Sequence, residues 1–225
     1  MSEFIRLSIV IPVGPDDSVW RHLLNDLAIF GTVPEIILSA CQPRSDEIDF
    51  PDNARWLQGP QGRARQLNAG ARQAMGDMIW FVHADTRLTK GIDHAVQSFI
   101  DRDECGLAYF RLKFADDGPV LTHLNAWAAN IRSRLFALPF GDQGYIIDKS
   151  VFVQLNGFDE AVTLGEDLDF AVRAKANGFA LRELPAALIT SARRYRQQGW
   201  LVTTLRHVCL TWQLTRQAKR RLSAA

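Results

Sequence analysis

The apolar residues of this chain fall into short runs that are separated by longer amphipathic segments. Largely apolar runs at Leu7–Pro12, Glu35–Ser39 and Met78–Val82 predict buried strands. Trp20–Ile29 has the spacing of a helix, and Ala54–Gln58 is predicted to be a short further strand. Strands that alternate with helices in this way indicate a parallel sheet with right-handed crossovers.

The second half of the chain continues with mixed elements. Helices are predicted at Gly91–Ile100 and Leu121–Leu138, and strands at Gly106–Phe114 and Tyr145–Asp148. Successive side chains along Gly106–Phe114 differ in character from one face of the strand to the other, which is typical of an antiparallel strand or of a strand at a sheet edge. The pattern as a whole predicts an α/β fold.

The segment Gly62–Arg87 contains a basic helix directly before the Met78–Val82 strand. Arg65, Asn68 and Arg72 recur at helical spacing and share one face. The small and apolar residues that should pack on the sheet share another face: Ala64, Leu67, Ala71 and Ala74. The polar face is therefore predicted to be free for a ligand.

His83-Ala84-Asp85 stands at the carboxyl end of the Met78–Val82 strand. Alternate residues point to the same side of a strand, and ligands bind at the carboxyl ends of strands in open α/β sheets. Asp85 offers a hard oxygen ligand for a divalent cation that is shared with phosphate oxygens. The alternative is that Asp85-Thr86 only caps the following turn.

Two acids begin another predicted helix, within the segment Thr163–Asp169. Thr163 and Glu166 fit a capping box, and acids in a first helical turn complement the helix macrodipole. The functional interpretation is that one carboxylate, Glu166 or Asp167, is a general base that removes a proton from an acceptor hydroxyl. Both interpretations are open at this stage.

Two loops carry further polar groups. Gly141-Asp142-Gln143-Gly144 fits an ordinary turn, and a polar loop between a helix and a strand is also where a substrate can be held. Thr190–Arg196 is basic and could place a guanidinium on a phosphate. Its alternative is a set of surface arginines with no ligand.

The C-terminal segment has an apolar stripe at helical spacing, formed by Leu201, Leu205, Val208 and Trp212. A basic tail follows it, with Arg216, Lys219, Arg220 and Arg221. We expect the stripe to pack mainly on the protein's own core. The other use is a basic amphipathic helix that lies on an anionic membrane.

Composition narrows the function and the compartment. The chain has 225 residues, with 26 Lys and Arg against 25 Asp and Glu, which does not favour bulk binding of nucleic acid. The cysteines, Cys41, Cys105 and Cys209, are odd in number and widely spaced, which indicates neither a disulfide framework nor a structural zinc site. We therefore expect a cytoplasmic protein. The amino terminus lacks signal-peptide features, and no apolar run reaches the roughly 18 to 20 residues of a membrane span.

Together these segments resemble family 2 glycosyltransferases with a GT-A fold. More closely, they are similar to the bacterial branch described as radical-SAM/selenodomain-associated glycosyltransferases. The matching segments occur in the family's order: Ser8–Val13, Gly62–Ala71, Phe81–Thr86, Gly141–Gly144, Gly157–Asp159, Glu166-Asp167 and Thr190–Arg194. The resemblance implies a Rossmann-like, mixed, mostly parallel sheet flanked by helices, in one domain over 1–225. Within it, 1–90 would bind the nucleotide sugar, 91–195 would hold the acceptor and the catalytic groups, and 196–225 would form the amphipathic helix and tail.

The resemblance also implies an enzyme that moves a sugar from a nucleoside-diphosphate donor to an acceptor hydroxyl, with Mg²⁺ or Mn²⁺. The donor-binding residues would be Pro12, Val13, Arg63, Arg65, Asn68, His83, Ala84, Asp85, Arg193 and Arg194. His83-Ala84-Asp85 stands where the family has Asp-x-Asp, so that Asp85 and His83 would hold the metal. Gly141, Asp142 and Gln143 would face the acceptor, which we expect to be lipid-linked at the inner face of a membrane. Asp167, paired with Glu166, would be the base of a direct, inverting displacement.

One position departs from the family pattern. An acidic residue normally follows the second strand and contacts the base and ribose, whereas this chain has Ser39-Ala40-Cys41 and no acid before Asp46. The nucleotide base is therefore not predicted. The departure also keeps an alternative function open, a non-catalytic protein with the same fold that binds a sugar nucleotide or a partner. Such a protein would have no need of Asp167.

Overall fold

A computed structural model describes residues 7–31, 34–44, 51–102 and 105–224. Asp46, the first acid after the second strand, lies outside the described residues, as does the amino terminus on which the signal-peptide prediction rests. The described strands are β1 Leu7–Val13, β2 Glu35–Ala40, β3 Ala54–Gln58, β4 Met78–Phe81, β5 Arg87–Leu88, β6 Gly106–Phe114, β7 Tyr145–Asp148 and β8 Ala180–Thr190. The helices are α1 Trp20–Leu27, α2 Arg63–Gln73, α3 Ile92–Ile100, α4 Thr122–Phe136, α5 Lys149–Gln154, α6 Glu166–Ala176, α7 Arg193–Gln198 and α8 Trp200–Ala224, with a 3₁₀ turn at Gly141–Gln143.

The eight strands form one mixed sheet in the order β3-β2-β1-β4-β7-β6-β8-β5. The neighbours β3, β2, β1 and β4 are parallel, as the alternation of strands and helices predicted, and β7 is antiparallel to both β4 and β6. The prediction of a mixed, mostly parallel sheet flanked by helices is therefore confirmed.

Strand β6 was predicted to be antiparallel or at an edge, and the first alternative is confirmed, because β6 is internal to the sheet. It is antiparallel to β7, as expected, and it pairs in parallel with β8 on its other side. The sequence did not predict β8 because Pro185 interrupts it, and proline is disfavoured inside a sheet. The pairing accommodates the proline through a register shift opposite Tyr109 and Arg111.

The sheet separates two hydrophobic clusters. Helices α1 and α3 pack on one face, where Trp20, Leu23 and Phe99 are buried against strand residues. Helices α2, α5 and α6 pack on the other face. Both faces are covered, which explains why the central strands are continuous apolar runs.

The amino terminus of α6 differs from its predicted form. The residue before the helix is Gly165, whose φ of +80° lies in the left-handed region, and no side chain caps the helix. The predicted capping box of Thr163 and Glu166 was therefore wrong, because glycine tolerates this conformation and places Thr163 outside the helix. Leu168 is buried. The acids in the first turn do complement the helix macrodipole.

Helix α8 packs through a different face from the one predicted. Leu201, Leu205, Val208 and Trp212 are between 57% and 62% exposed, so the expectation that this stripe docks on the core was wrong. The opposite side of the helix packs instead on α6, through Leu214, Ala218 and Leu222. The helix has two apolar stripes, and the sequence alone did not show which of them finds a partner. Within the described part of the chain, no helix combines the length and the apolar character needed to cross a bilayer.

Candidate functional site

The site forms where the first turns of α2 and α6 meet. Arg63, the first residue of α2, pairs with both acids that begin α6: its Nε lies 2.7 Å from Glu166 Oε1 and its Nη2 lies 2.8 Å from Asp167 Oδ2. The two carboxylates are buried, whereas 40% of the Arg63 side chain is exposed. Arg63 therefore offsets part of the negative charge of the two buried acids and still presents a guanidinium surface to the solvent side.

Asp167 is held in place by the backbone of two segments. Its Oδ2 also accepts a hydrogen bond from the Gly141 N–H at 2.6 Å, and its Oδ1 accepts one from Leu168 N–H at 2.7 Å. A side chain at position 141 would have no room, because a Cβ there would lie 2.5 Å from Arg63 Nη2 and 2.8 Å from Asp167 Oδ2. The absence of a side chain at Gly141 thus allows this close approach.

His83 completes the inner end of the site. A Cβ on Gly141 would also lie 2.9 Å from the Nε2 of His83. His83 and Arg63 therefore converge on the space beside Gly141. Burial and the neighbouring positive charge of Arg63 lower the pKa of His83 well below its usual value. His83 is therefore neutral at physiological pH.

Two further carboxyl groups have a raised pKa. Burial raises the pKa of Asp142 to about 6, and Asp167 raises it while Arg132 opposes the shift. Asp142 Oδ1 is buried with no hydrogen-bond partner among the described residues. Asp85 reaches the surface of the site, yet loss of solvent around its carboxyl raises its pKa, and Asp17 raises it as well.

A cleft of about 530 Å³ opens from this cluster toward the carboxyl ends of β1 and β4. Its lining combines acids, bases and backbone from four segments: Pro12, Gly14, Asp16, Asp17, Ser18, Val19, Arg63, Gln66, His83, Ala84, Asp85 and Arg193. The volume is in the range of sites that bind small molecules and nucleotides. The cleft contains both cationic and anionic side chains. The cationic ones suit an anionic ligand, and the carboxylates suit a metal cation bound with that ligand.

The structure brings six of the predicted donor-binding residues together in this cleft: Pro12, Arg63, His83, Ala84, Asp85 and Arg193. Others lie elsewhere. Val13 is buried in β1, Arg194 is exposed on α7, and Arg65 lies 3.8 Å from Glu160.

Asn68 has a structural contact in place of the predicted ligand contact. The residue is buried, its amide donates to the Phe158 carbonyl at 2.8 Å, and its oxygen accepts from the Phe158 N–H at 2.9 Å. Gln143 on the acceptor side is also buried and donates to the Phe110 carbonyl at 3.0 Å. Both side chains fix loops beside the site.

Sequence reasoning missed the loop Gly14–Val19 and the side chain of Gln66. Gln66 is buried and donates to the carbonyls of Val13 and Ser39, at 2.7 and 2.6 Å, so it holds the ends of β1 and β2 together under the cleft. The available signal was the position of the loop: Gly14-Pro15-Asp16-Asp17-Ser18 is a cluster of turn residues directly after a buried strand.

The donor atoms at Asp85 fit a divalent cation of the kind that phosphate ligands share. Among the residues that the structure describes, no group of three or more His, Cys, Asp or Glu side chains is arranged to hold a metal. Mg²⁺ typically needs only one or two carboxylates, because phosphate oxygens and water supply its other ligands. Asp85 meets this requirement. His83 is less suited, because the positive charge of Arg63 acts on its ring.

Comparisons with known proteins concern the family and the fold of the chain. A family model described as glycosyl transferase family 2 matches residues 34–154. The crystal structure of S. aureus TarS 1-349 in complex with UDP is 17% identical with a TM-score of 0.63, and the match covers 84% of this chain and 61% of that one. The complex of S. aureus TarS 1-349 with UDP-GlcNAc is 16% identical with a TM-score of 0.64, with coverage of 84% and 59%. The chain thus spans about three fifths of these structures. Comparison with curated proteins gave no match.

Proposed function

The chain belongs to glycosyl transferase family 2, and from this premise we propose that it transfers a sugar from a nucleoside-diphosphate donor in the cleft to an acceptor hydroxyl. The observation that carries the proposal is the contact of Arg63 with Glu166 and Asp167 beside His83-Ala84-Asp85. Arg63 lines the cleft and would offer a cation to phosphate, and the two carboxylates that contact Arg63 are the candidates for proton removal.

The diphosphate of the donor would lie between Arg63 and Arg193, whose side chains line the cleft. Guanidinium groups match phosphate oxygens in geometry and charge. Asp85 would hold Mg²⁺ or Mn²⁺, and such an ion would neutralise part of the charge that grows on the leaving diphosphate. His83 would stay neutral beside it and contribute a hydrogen-bonding ring nitrogen.

Asp167 is the proposed base of an inverting displacement. Its Oδ2 is shared by Arg63 and the Gly141 N–H, so an acceptor hydroxyl needs one of these donors to release it. A bound diphosphate is an anion that competes for Arg63. We therefore propose that donor binding draws Arg63 away from Asp167 and frees the carboxylate oxygen for the acceptor.

Asp16 and Asp17 are the proposed contacts to the nucleoside. Both line the cleft, and Asp16 adopts a left-handed backbone conformation with φ of +55° while its N–H donates to Gln42 Oε1 at 3.0 Å. The segment Ser39-Ala40-Cys41 carries no acid. Carboxylates of the first loop would then accept the ribose hydroxyls in place of the family's acid after β2.

The finer assignments remain part of this proposal. The branch of radical-SAM/selenodomain-associated enzymes and the single-domain division rest on the sequence resemblance, and the cytoplasmic location rests on the number and spacing of the cysteines. The acceptor side would be formed by Gly141, Asp142 and Gln143, and a lipid-linked acceptor is proposed there because α4, with exposed apolar residues, leads directly into this turn.

Thermal stability with UDP and UDP-GlcNAc tests donor binding, since a ligand that binds the native state raises the melting temperature. We expect a rise with Mg²⁺ or Mn²⁺ that becomes much smaller with EDTA. Asp85→Asn should lose the effect of the cation. Asp16→Asn is the matched control from the same cleft: asparagine tolerates the left-handed backbone, so this variant should bind more weakly and keep its response to the cation.

The outcomes separate the proposals. Equal binding with and without cation, in wild type and Asp85→Asn alike, would remove the metal from the mechanism. Donor binding without any sugar transfer or donor hydrolysis would favour the alternative of a non-catalytic binding protein.

A further inference from the structure

Two helices of the structure expose a set of large apolar side chains. On α4 and the turn before it, Leu121, Leu124, Trp127 and Leu135 are between 46% and 70% exposed. On α8, the exposed residues are Leu201, Val202, Leu205, Val208 and Trp212, between 57% and 64% exposed. We call these nine residues the apolar plate. Single exposed apolar residues are ordinary, whereas a contiguous set usually marks an interaction surface.

The two halves of the apolar plate meet at one contact between α4 and α8. Asn125 of α4 donates to Thr204 of α8 at 3.0 Å and accepts from Trp200 Nε1 at 2.6 Å. Leu124 adjoins Asn125 in the chain, and Leu201 and Leu205 adjoin the two α8 residues. The exposed leucines of both helices therefore flank one interhelical contact, and the plate extends from it along each helix.

The helices around the apolar plate carry basic residues and no acids of their own, and acids of other elements pair with two of these bases: Glu183 with Arg134 at 2.7 Å and Asp169 with Arg221 at 3.5 Å. Helices α4, α7 and α8 contain ten Lys and Arg and no Asp or Glu, whereas the rest of the chain contains the other 16 Lys and Arg and all 25 acids. On α8 the exposed basic residues include Arg216, Lys219 and Arg220. The guanidinium of Arg216 lies over the ring of Trp212, 4.4 Å from its centroid.

We propose that the apolar plate docks on the surface of an anionic lipid bilayer. Tryptophan and leucine with flanking arginine and lysine are the composition of helices that lie in a membrane interface, where the rings and alkyl chains enter the acyl boundary and the cations meet lipid phosphates. The excess of positive charge on these helices fits an anionic surface and opposes the approach of a second copy of the same face. The described helices do not cross a bilayer, so the contact is peripheral.

The apolar plate is joined to the candidate site. Helix α4 runs directly into the segment that contains Gly141 and Asp142, and Arg193 at the start of α7 lines the cleft. A docked plate would therefore hold the acceptor side of the site near the lipid headgroups. This proposal does not require sugar transfer, since an inactive chain would bind membranes equally well.

Co-sedimentation of the full chain with vesicles tests the proposal. We expect binding to vesicles that contain phosphatidylglycerol, much weaker binding to pure phosphatidylcholine, and a loss of binding at high salt. The double variant Leu205→Ser/Trp212→Ser should lower the partition by at least about tenfold, given roughly 0.8 kcal/mol per buried methylene. Arg216→Gln/Lys219→Gln/Arg220→Gln should lower it by about a hundredfold, since each basic residue near an anionic surface contributes about fivefold.

Val153→Ser is the matched control, because Val153 is 64% exposed on α5 and carries no part of the apolar plate. It should bind vesicles as the wild type does. Binding that is equal in wild type, Leu205→Ser/Trp212→Ser and the charge variant would overturn the proposal, as would an absence of binding to both vesicle types. A dimer in sedimentation analysis that the double variant abolishes would assign the plate to a second copy. The melting temperature with UDP tests the donor site separately in each variant.

Discussion

One arginine determines the electrostatics of the candidate site. Arg63 lies between Glu166 and Asp167, both buried, and its charge also lowers the pKa of His83. The negative charges of the acids raise the pKa of Arg63 in return. Burial alone would disfavour all of these charges, so each one depends on its partner. Substrate binding that moves Arg63 must therefore affect the carboxylates.

Asp167→Asn is expected to lower turnover by about 10² to 10⁴, because asparagine keeps the shape of the side chain and cannot accept the acceptor's proton. Donor affinity should rise, because Asp167 no longer competes with the diphosphate for Arg63. Stability should fall by about 1 to 3 kcal/mol, because asparagine has one acceptor oxygen fewer for the N–H donors that contact Asp167. Steady-state kinetics with a hydrolysis or transfer assay gives the rate, and UDP titration gives the affinity.

Asp169→Asn is the matched control for this prediction. Asp169 lies in the same first turn of α6 and pairs with Arg173 at 2.9 Å, away from the cleft lining. If both variants lose activity equally, the acids serve the helix terminus. If Asp167→Asn alone keeps the wild-type rate, the role of the base passes to Glu166.

Asp142→Asn tests the buried carboxyl through the dependence of stability on pH. The folded pKa of about 6 lies above the usual 3.8, so the native state binds a proton more tightly than the unfolded state. The contribution of the Asp142 carboxyl to the free energy of unfolding is therefore greatest at low pH and is lost as the pH rises through about 6. Relative to wild type, the variant should gain on the order of 1 kcal/mol between pH 4 and pH 7.

Denaturant unfolding at a series of pH values measures this difference. At each pH, the free energy of unfolding of the variant is subtracted from that of the wild type. Only the change of this difference with pH is used, because any effect of the buried amide that does not depend on pH then cancels. A difference that stays constant across the whole range would show that Asp142 is solvated in the native protein.

At the scale of the elements, the close approach of α2 to the sheet positions Arg63. Helix α2 packs on β1 at Gly70, where a Cβ would lie 2.3 Å from Val10 Cγ1. Gln66, one turn earlier, bonds to the ends of β1 and β2. The helix is thus fixed at its middle and at its beginning, and its first residue extends into the cleft.

Gly70→Ala should destabilise the protein by about 1 to 3 kcal/mol, because the added methyl group overpacks the contact between helix and strand. Alanine favours helices over glycine by about 1 kcal/mol, so a loss of stability would report the steric conflict. Gly59→Ala is the control, since a Cβ at Gly59 meets no atom within 4 Å. Adding Val10→Ala to Gly70→Ala should recover part of the loss, and chemical denaturation measures all four proteins.

If Gly70→Ala is as stable as Gly59→Ala, the helix is not held against β1 as described. Recovery by Val10→Ala would be absent in that case. The affinity for UDP offers a second measurement, because a displaced α2 would carry Arg63 away from the diphosphate.

At the scale of the whole molecule, charge and chemistry are both segregated. The acids lie outside α4, α7 and α8, and these three helices carry a basic, apolar surface. The candidate site joins residues that are far apart in the chain: Arg63 and Asp167 are separated by 104 positions. The sheet makes this possible, since the parallel strands β1 and β4 end at the same edge.

The order of most strands and helices and the mixed α/β class could be predicted from the sequence, and so could the candidate segments His83-Ala84-Asp85 and Glu166-Asp167. These features depend on local periodicity and on the position of polar residues at strand ends, both of which are properties of a short segment. The acids of the Gly14–Val19 loop also follow a buried strand, so the same reasoning could have predicted them as candidates.

Only the tertiary structure decided which side of each helix found a partner. On α2 it directed Asn68 to Phe158 and Gln66 to the strand ends, and on α8 it buried Leu214 and left Trp212 exposed. Periodicity identifies a stripe, but the free energy of burying it depends on a surface contributed by distant residues. For the same reason, the pairing of Arg63 with two acids of α6 became visible only in the folded protein.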